Sequence, residues 1–461
     1  MAPTAERADG LERDASVREA YARDASGLWR VPEAVARPAS ANEVAEFVRR
    51  AAAERTCVTA AGAQTSTTGA SISDRGILLS TRAMTRVLDL DERARTVRVE
   101  PGVLLGDLQR ALAPYGLFFA PDPTSDQECT VGGAVACNAS GPRTLRYGPT
   151  GAHVRALTVV TADGATVEVR RPLVEKNTAG LALVQDPVDW FVGSEGTLGI
   201  VVAAELALLE KPAREVGLAI PLPDEQRALA FIIAAREHPS VRPRCLEYFD
   251  AESFGIARGD AGASSWAPDA GAMVYTEETT DGADPPLDAW LALAEQFGAN
   301  AADVRVFEGD AAIREARRVR HAVPATMHER VAPYLRTGGR RVSTDWAVPY
   351  RLAAAAVAMA RRHARDAGIA PGIMYGHLGN GHPHQNFVAR DPDEVRAMEA
   401  VVERTLREVI AMGGTVSAEH GIGKLKARWL PLQLSPMQMG VMRAIKAELD
   451  PLGILAPGNI L

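Results

Sequence analysis

Apolar residues recur at helical spacing early in the chain. In "NEVAEFVRRAAA", residues 42–53, Val44, Phe47, Val48 and Ala51 share one face, with Asn42 placed as a cap. The following "CVTAAGAQTSTTGASI" starts like a strand and runs into a Gly/Thr/Ser loop. Short apolar runs at 77–80 and 96–100 predict strands, and a helix is predicted over about 103–113. "ALTVVTADGATVEVR" reads as a hairpin turning at Ala162, Asp163 and Gly164. The second half has another rhythm. "EVGLAIPL" predicts a strand and "DEQRALAFIIAARE" an amphipathic helix. Then come a strand at 341–348, a helix at 351–366, strands at 371–377 and 383–389, and a helix at 393–411. Strand–helix–strand–strand–helix is the pattern of a ferredoxin-like antiparallel sheet, so an α+β fold is expected, with a boundary near 208–216.

Composition narrows the function classes. The 461 residues are 47% hydrophobic and 24% charged, as in ordinary globular proteins, and their length suits more than one domain. The net charge of −7 speaks against a nucleic-acid partner, which wants a concentrated basic face. No apolar run approaches the roughly 20 residues that span a bilayer, and the first residues lack a secretory signal's apolar stretch. A cytoplasmic location without a transmembrane segment is therefore expected, with peripheral contact at the inner membrane face left open. Cys57, Cys129, Cys137 and Cys245 form no C-x-x-C pair. Redox chemistry here would need an organic cofactor or a metal on other ligands.

Three stretches in the first half suit anion or ring binding. In Gly62-Ala63-Gln64-Thr65-Ser66-Thr67-Thr68-Gly69, small residues let amides converge on a diphosphate and hydroxyls add donors. In "TVGGAVACNASGPRTLRYG", residues 130–148, Gly132 and Gly133 would permit close approach to a flat ligand, with Asn138 and Ser140 as polar contacts. In "GSEGTLGIV", residues 193–201, the Ile200 backbone could meet a ring edge. Each stretch alone reads more readily as a turn. No G-x-G-x-x-G joins a strand to a helix, which excludes a nicotinamide Rossmann reading.

"YGHLGNGHPHQNF", residues 375–387, crowds His377, His382 and His384 into one turn. Two imidazoles with a harder third ligand hold a divalent ion, and "TVSAEHGIGK" supplies Glu419 beside His420. Such a set suits zinc or manganese. On residues alone, exposed turn histidines and a glutamate at a helix start fit equally well.

In order, the three loops resemble the FAD domain of the vanillyl-alcohol oxidase superfamily, the PCMH-type flavoproteins. The similarity runs from about Val31 to Leu208 and on to the terminal "LAPGNIL". Within that superfamily the chain is similar to the FAD-linked 2-hydroxyacid dehydrogenases: D-lactate dehydrogenase, the glycolate oxidase catalytic subunit and D-2-hydroxyglutarate dehydrogenase. The resemblance implies an N-terminal extension (1–30), a PCMH-type FAD domain (31–212), a substrate or cap domain with a ferredoxin-like sheet (213–425), and a helical segment (426–461) returning to the FAD domain. It implies that residues 62–69 hold the pyrophosphate. Pro123, Thr124, Gly132, Gly133, Asn138, Ser140, Tyr147, Gly148, Glu195, Gly196 and Ile200 would contact the cofactor. The first loop lacks a histidine, so the FAD would be non-covalent.

In these dehydrogenases a G-H-x-G-D-G-N-x-H-x-N segment and a later E-H-G-x-G segment build the metal and proton-transfer site. His377, His384 and Asn386 match the first, and Glu419, His420, Gly421 and Gly423 the second. The implied ligands are His377, His384 and Glu419. The usual D-G-N reads Asn380-Gly381-His382, so His382 could join or reshape the site. Oxidising a 2-hydroxy acid removes a hydride and a proton; His420, with an ordinary pKa of about 6.5, would take the proton. Arg320, Asn386 and His382 would contact the substrate. A substrate lysine found in some relatives is here Ser343, two residues before Asp345, which makes a second carboxylate less assured.

The expected function is FAD-dependent oxidation of a D-2-hydroxy acid, electrons leaving for an external quinone, cytochrome or electron-transfer protein. Rival readings are an oxygen-using or non-redox flavoenzyme of the same fold, a flavin-binding scaffold subunit, and a flavin-free metallohydrolase. A homodimer is left open.

Overall fold

The computed structural model describes residues 9–461, except the side chains of 318–321. The chain divides into two compact units. The first comprises the described residues up to Ser140, then Gly148–Lys211 and Glu419–Leu461; the second comprises Gly141–Tyr147 and Pro212–Ala418. The return to the first unit thus begins at Glu419, before the 426 expected, and the excursion 141–147 had no sequence signal.

The first unit holds two main sheets. In one, Leu11–Glu12, Ala34–Ala36, Ile77–Ser80 and Val58–Ala61 lie side by side in that order, the last three parallel. The helix Ala41–Glu54 is the crossover between parallel strands and buries Val44, Ala45, Val48 and Ala51. Its cap is Ser40 rather than Asn42. The Ser40 hydroxyl accepts the Glu43 amide at 3.3 Å, while the Glu43 carboxylate holds the Ala39 amide. The other sheet is antiparallel, in the order Val87–Asp91, Thr96–Val99, Ile200–Ala207, Val154–Val160, Thr166–Arg170. Its last pair is the hairpin expected around Asp163. The C-terminal segment extends the parallel sheet: Val58 donates to the Ile454 carbonyl and accepts from Ala456, both at 2.8 Å.

The second unit is built on seven antiparallel strands, in the order Arg305–Glu308, Arg214–Leu222, Ala272–Thr280, Cys245–Asp250, Ile373–His377, His382–Ala389, Arg340–Ser343. The edge strand stops at Ser343, short of the expected 348. Beyond it Ala347 pairs with Thr415 instead, and the Val348 amide donates to Gly381. Charge is buried in this unit. Glu277, 1% exposed, meets Arg244 and Arg317 at 2.8 Å and Arg143 at 3.1 Å, and accepts the Tyr275 hydroxyl. Arg244 also pairs with Glu215 at 2.9 Å. Burial alone would raise the Glu277 pKa, but the charges of Arg317, Arg143 and Arg244 prevail and hold it well below the usual range. This knot ties the excursion 141–147 and the helix Gly309–Val331 to the sheet. Among the described residues, no helix is long and apolar enough to cross a membrane.

Candidate active site

The tight turn Leu378–Asn380 joins Ile373–His377 to His382–Ala389 and fixes their register. His377 stands opposite His382, and Tyr375 opposite His384. Because opposed residues and alternate residues point to one side of a sheet, all three imidazoles share a face. Each is buried. Their rings lie 4.4 to 5.4 Å apart between centroids, and one nitrogen from each falls within 4.8 Å of the others. Three buried imidazoles packed this closely suit a shared cation, to which each ring can offer a nitrogen lone pair.

Neighbours orient each ring. The Nδ1 of His377 is 2.6 Å from Glu247 Oε1. The Nδ1 of His384 is 3.3 Å from the Thr344 carbonyl, to which only an N–H can donate. His382 Nε2 lies 3.1 Å from Asp345 Oδ1, a close contact rather than an aligned hydrogen bond. Asn386 donates to the His384 carbonyl at 3.0 Å, while its own Oδ1 is buried without a hydrogen-bond partner among the described residues. His377, His382, His384 and Asn386 therefore come together, and the donor set fits a divalent ion. Asp345 also accepts the Ser417 hydroxyl at 2.7 Å and the Ala418 amide at 3.2 Å, fixing the chain just before Glu419. Arg320 falls on the helix Gly309–Val331, and its side chain is outside the described residues.

In the first unit, Glu419 and His420 open the returning segment. Ser140 donates to Glu419 Oε2 at 3.4 Å, and His420 Nε2 lies 3.5 Å from Glu419 Oε1. The next residues are stitched down. The Thr68 carbonyl accepts the amides of Lys424 and Leu425. Lys424 Nζ donates to the carbonyl of Gly69 and to Asn459 Oδ1 at 2.6 Å; burial lowers its pKa to about 8. The Glu195 carboxylate accepts the amides of Ile422 at 2.5 Å and Gly423 at 2.8 Å. Burial pushes the Glu195 pKa up, and these amides oppose the shift. Glu195, expected to touch the cofactor, thus commits its carboxylate to the H-G-I-G turn.

The loop 62–69 leaves the C-terminal end of the strand Val58–Ala61, where ligand crevices of parallel sheets form. Gln64 braces it, donating to the carbonyls of Tyr21 and Ser71. Thr68 is buried, whereas Thr65, Ser66 and Thr67 are half-buried. A hydroxyl-rich loop at such a strand end fits a diphosphate. Other expected contacts also have roles within the protein. A Cβ at Gly132 would sit 2.6 Å from Pro101, and one at Gly62 2.3 Å from the Thr130 hydroxyl, so both glycines serve protein packing. Asn138 ends the helix Val131–Cys137 in a left-handed conformation and accepts the Gly151 amide at 2.8 Å. Ile200 pairs with Val160 and is buried in the core. Gly133, Gly148, Gly196, Pro123 and Thr124 stay in the first unit, while Tyr147 lies in the excursion to the second. Glu247, Lys424 and Asn459 were not singled out from sequence; their partners are distant in the chain.

The chain thus pairs a hydroxyl-rich loop on the parallel sheet of one unit with clustered imidazoles on the antiparallel sheet of the other, and the matches that follow make it a flavin-dependent oxidoreductase. Residues 32–170 match the FAD binding domain, and residues 211–460 match the C-terminal domain of FAD linked oxidases. The chain belongs to the FAD-linked oxidase family. It is 30% identical over 455 residues to glycolate oxidase subunit GlcD of Bacillus subtilis (strain 168), covering 96% of this chain and 92% of that one. It is 30% identical over 461 residues to D-2-hydroxyglutarate dehydrogenase of Xanthomonas citri pv. viticola, covering 98% and 94%. The solved structure of an alkyldihydroxyacetonephosphate synthase shares the fold, with a TM-score of 0.73 at 18% identity over 98% of this chain and 83% of that one.

Proposed function

We propose that the protein oxidises a D-2-hydroxy acid to the 2-oxo acid and passes the electrons to an external acceptor. The observation that carries this reading is the buried face of His377, His382 and His384, an imidazole cluster in a family whose relatives include a glycolate oxidase subunit and a D-2-hydroxyglutarate dehydrogenase. Bound FAD supplies the hydride acceptor, and a divalent ion, zinc or manganese, supplies the Lewis acidity that lowers the substrate hydroxyl's pKa. His377 and His384 each present Nε2 because Nδ1 is engaged by Glu247 or by the Thr344 carbonyl. Glu419 is the proposed third ligand; Asp345 anchors the residue before it. His420 accepts the hydroxyl proton, in a turn held by Glu195. Residues 62–69 hold the cofactor's diphosphate, and Arg320, Asn386 and His382 contact the acid.

The test is anaerobic mixing of the purified holoprotein with D- and L-enantiomers of small and dicarboxylic 2-hydroxy acids. D-acids should bleach the flavin and L-acids should do so poorly, since a fixed base and acceptor aim one α-hydrogen. Fast peroxide formation in air would instead make the protein an oxidase, and no bleaching by any hydroxy acid would sink the reading.

A further inference from the structure

His377 closes the strand Ile373–His377, whose neighbour Cys245–Asp250 pairs Tyr248 with Gly376 and Phe249 with Tyr375. Antiparallel pairing carries Glu247 beside His377. Both side chains are buried, at 1% and 3% exposure, and Glu247 Oε1 is 2.6 Å from His377 Nδ1. A buried carboxylate costs several kcal/mol of desolvation, about what a pair of apolar side chains would avoid. Packing therefore does not account for this residue.

Resting on the ion-binding reading above, we propose that Glu247 is a positioning residue for the metal site. Its carboxylate keeps the proton of His377 on Nδ1, turns Nε2 toward the ion and makes that nitrogen a stronger donor. Metal-bound imidazoles commonly carry such a partner, and removing it typically costs about 10- to 100-fold in metal affinity. The second histidine obeys the same logic. His384 is held at Nδ1 by the Thr344 carbonyl, so both rings turn the same nitrogen to the cluster. Glu247 differs from Thr344 in carrying charge. It brings a negative group beside a neutral ligand set without itself joining the shell, which favours a divalent over a monovalent cation.

The experiment uses the FAD-loaded full chain. Zinc and manganese affinity is measured by chelator competition for the native protein and for Glu247→Gln, with flavin content and the melting temperature of the metal-stripped protein read alongside. Glu247→Gln should bind metal about 10- to 100-fold more weakly with flavin content unchanged. Glu247→Asp, which keeps the charge but withdraws it by one methylene, should fall between the two. If the glutamine variant does not fold, the aspartate variant decides. Native affinity in whichever variant folds overturns the role of Glu247. Failure of the native protein to bind either metal overturns the ion-binding reading instead, so the two failures are distinct. A ¹⁵N spectrum of the metal-stripped protein gives a further check: His377 should carry its proton on Nδ1, and a proton on Nε2 overturns the proposal.

Discussion

Glu195 holds the amide of Gly423 through both carboxylate oxygens, at 2.8 and 3.1 Å. Gly423 has φ +50°, and a Cβ there would meet the Thr68 carbonyl at 2.4 Å. Gly423→Ala should therefore lose about 1–3 kcal/mol for the strained backbone. Glu195→Ala should lose a similar amount for each buried amide it orphans, about 1–3 kcal/mol. Urea unfolding reads both. The double variant should fall short of the sum, because the two changes act on one contact.

The ligand and base roles separate by what each variant retains. His377→Ala, His384→Ala and Glu419→Ala should lower bound metal and turnover together, with partial rescue by excess metal. His420→Ala should keep metal and FAD and lose roughly 10²–10⁴ in rate. Metal analysis beside single-turnover bleaching distinguishes them. Loss of metal in His420→Ala with retention in His384→Ala would show the roles exchanged.

Glu277 ties stability to pH. Its folded pKa lies below the ordinary 4.5, so its contribution is present above that value and is lost as pH falls through the folded pKa. Glu277→Gln leaves Arg143, Arg244 and Arg317 around a neutral amide and should cost about 3–5 kcal/mol at pH 7. The gap in urea midpoint between variant and native protein should narrow in acid. A gap independent of pH would count against the electrostatic origin.

The loop 62–69 contains no histidine to anchor a flavin. The purified protein should be yellow, and heat or acid should release intact FAD. Flavin that stays with the denatured chain would refute non-covalent binding. Gly132→Leu should destabilise the protein even when stripped of flavin, since the side chain would strike Pro101.

Much of this architecture was legible because its signals are local. The hairpin around Asp163, the helix after Ser40 and the turn between Ile373–His377 and His382–Ala389 each follow from a few neighbouring residues. The histidine turn was read correctly as a cluster, yet the strand begins one residue earlier than expected, which sets His382 opposite His377. Glu247 and Glu277 had no such signal. Each is an acidic residue in a strand with no motif around it, and its partner lies 130 or more positions away for His377 and Arg143. Glu195 and Gly132 sit in loops whose composition suits a ligand, but their contacts are made with the protein itself. Composition cannot tell a glycine that admits a cofactor from one that admits a proline.

The pairing of Val58 with Ile454 and Ala456 has a consequence for biogenesis. A nascent chain emerging from the ribosome offers Val58 long before its partners exist, and the intervening Pro212–Ala418 can fold in the meantime. The parallel sheet that bears the loop 62–69 is completed only once Ile454 and Ala456 have emerged. Cofactor capture should therefore await these residues, and a chain terminated before them would expose an unfinished sheet edge, the kind of surface that quality-control proteases and chaperones recognise.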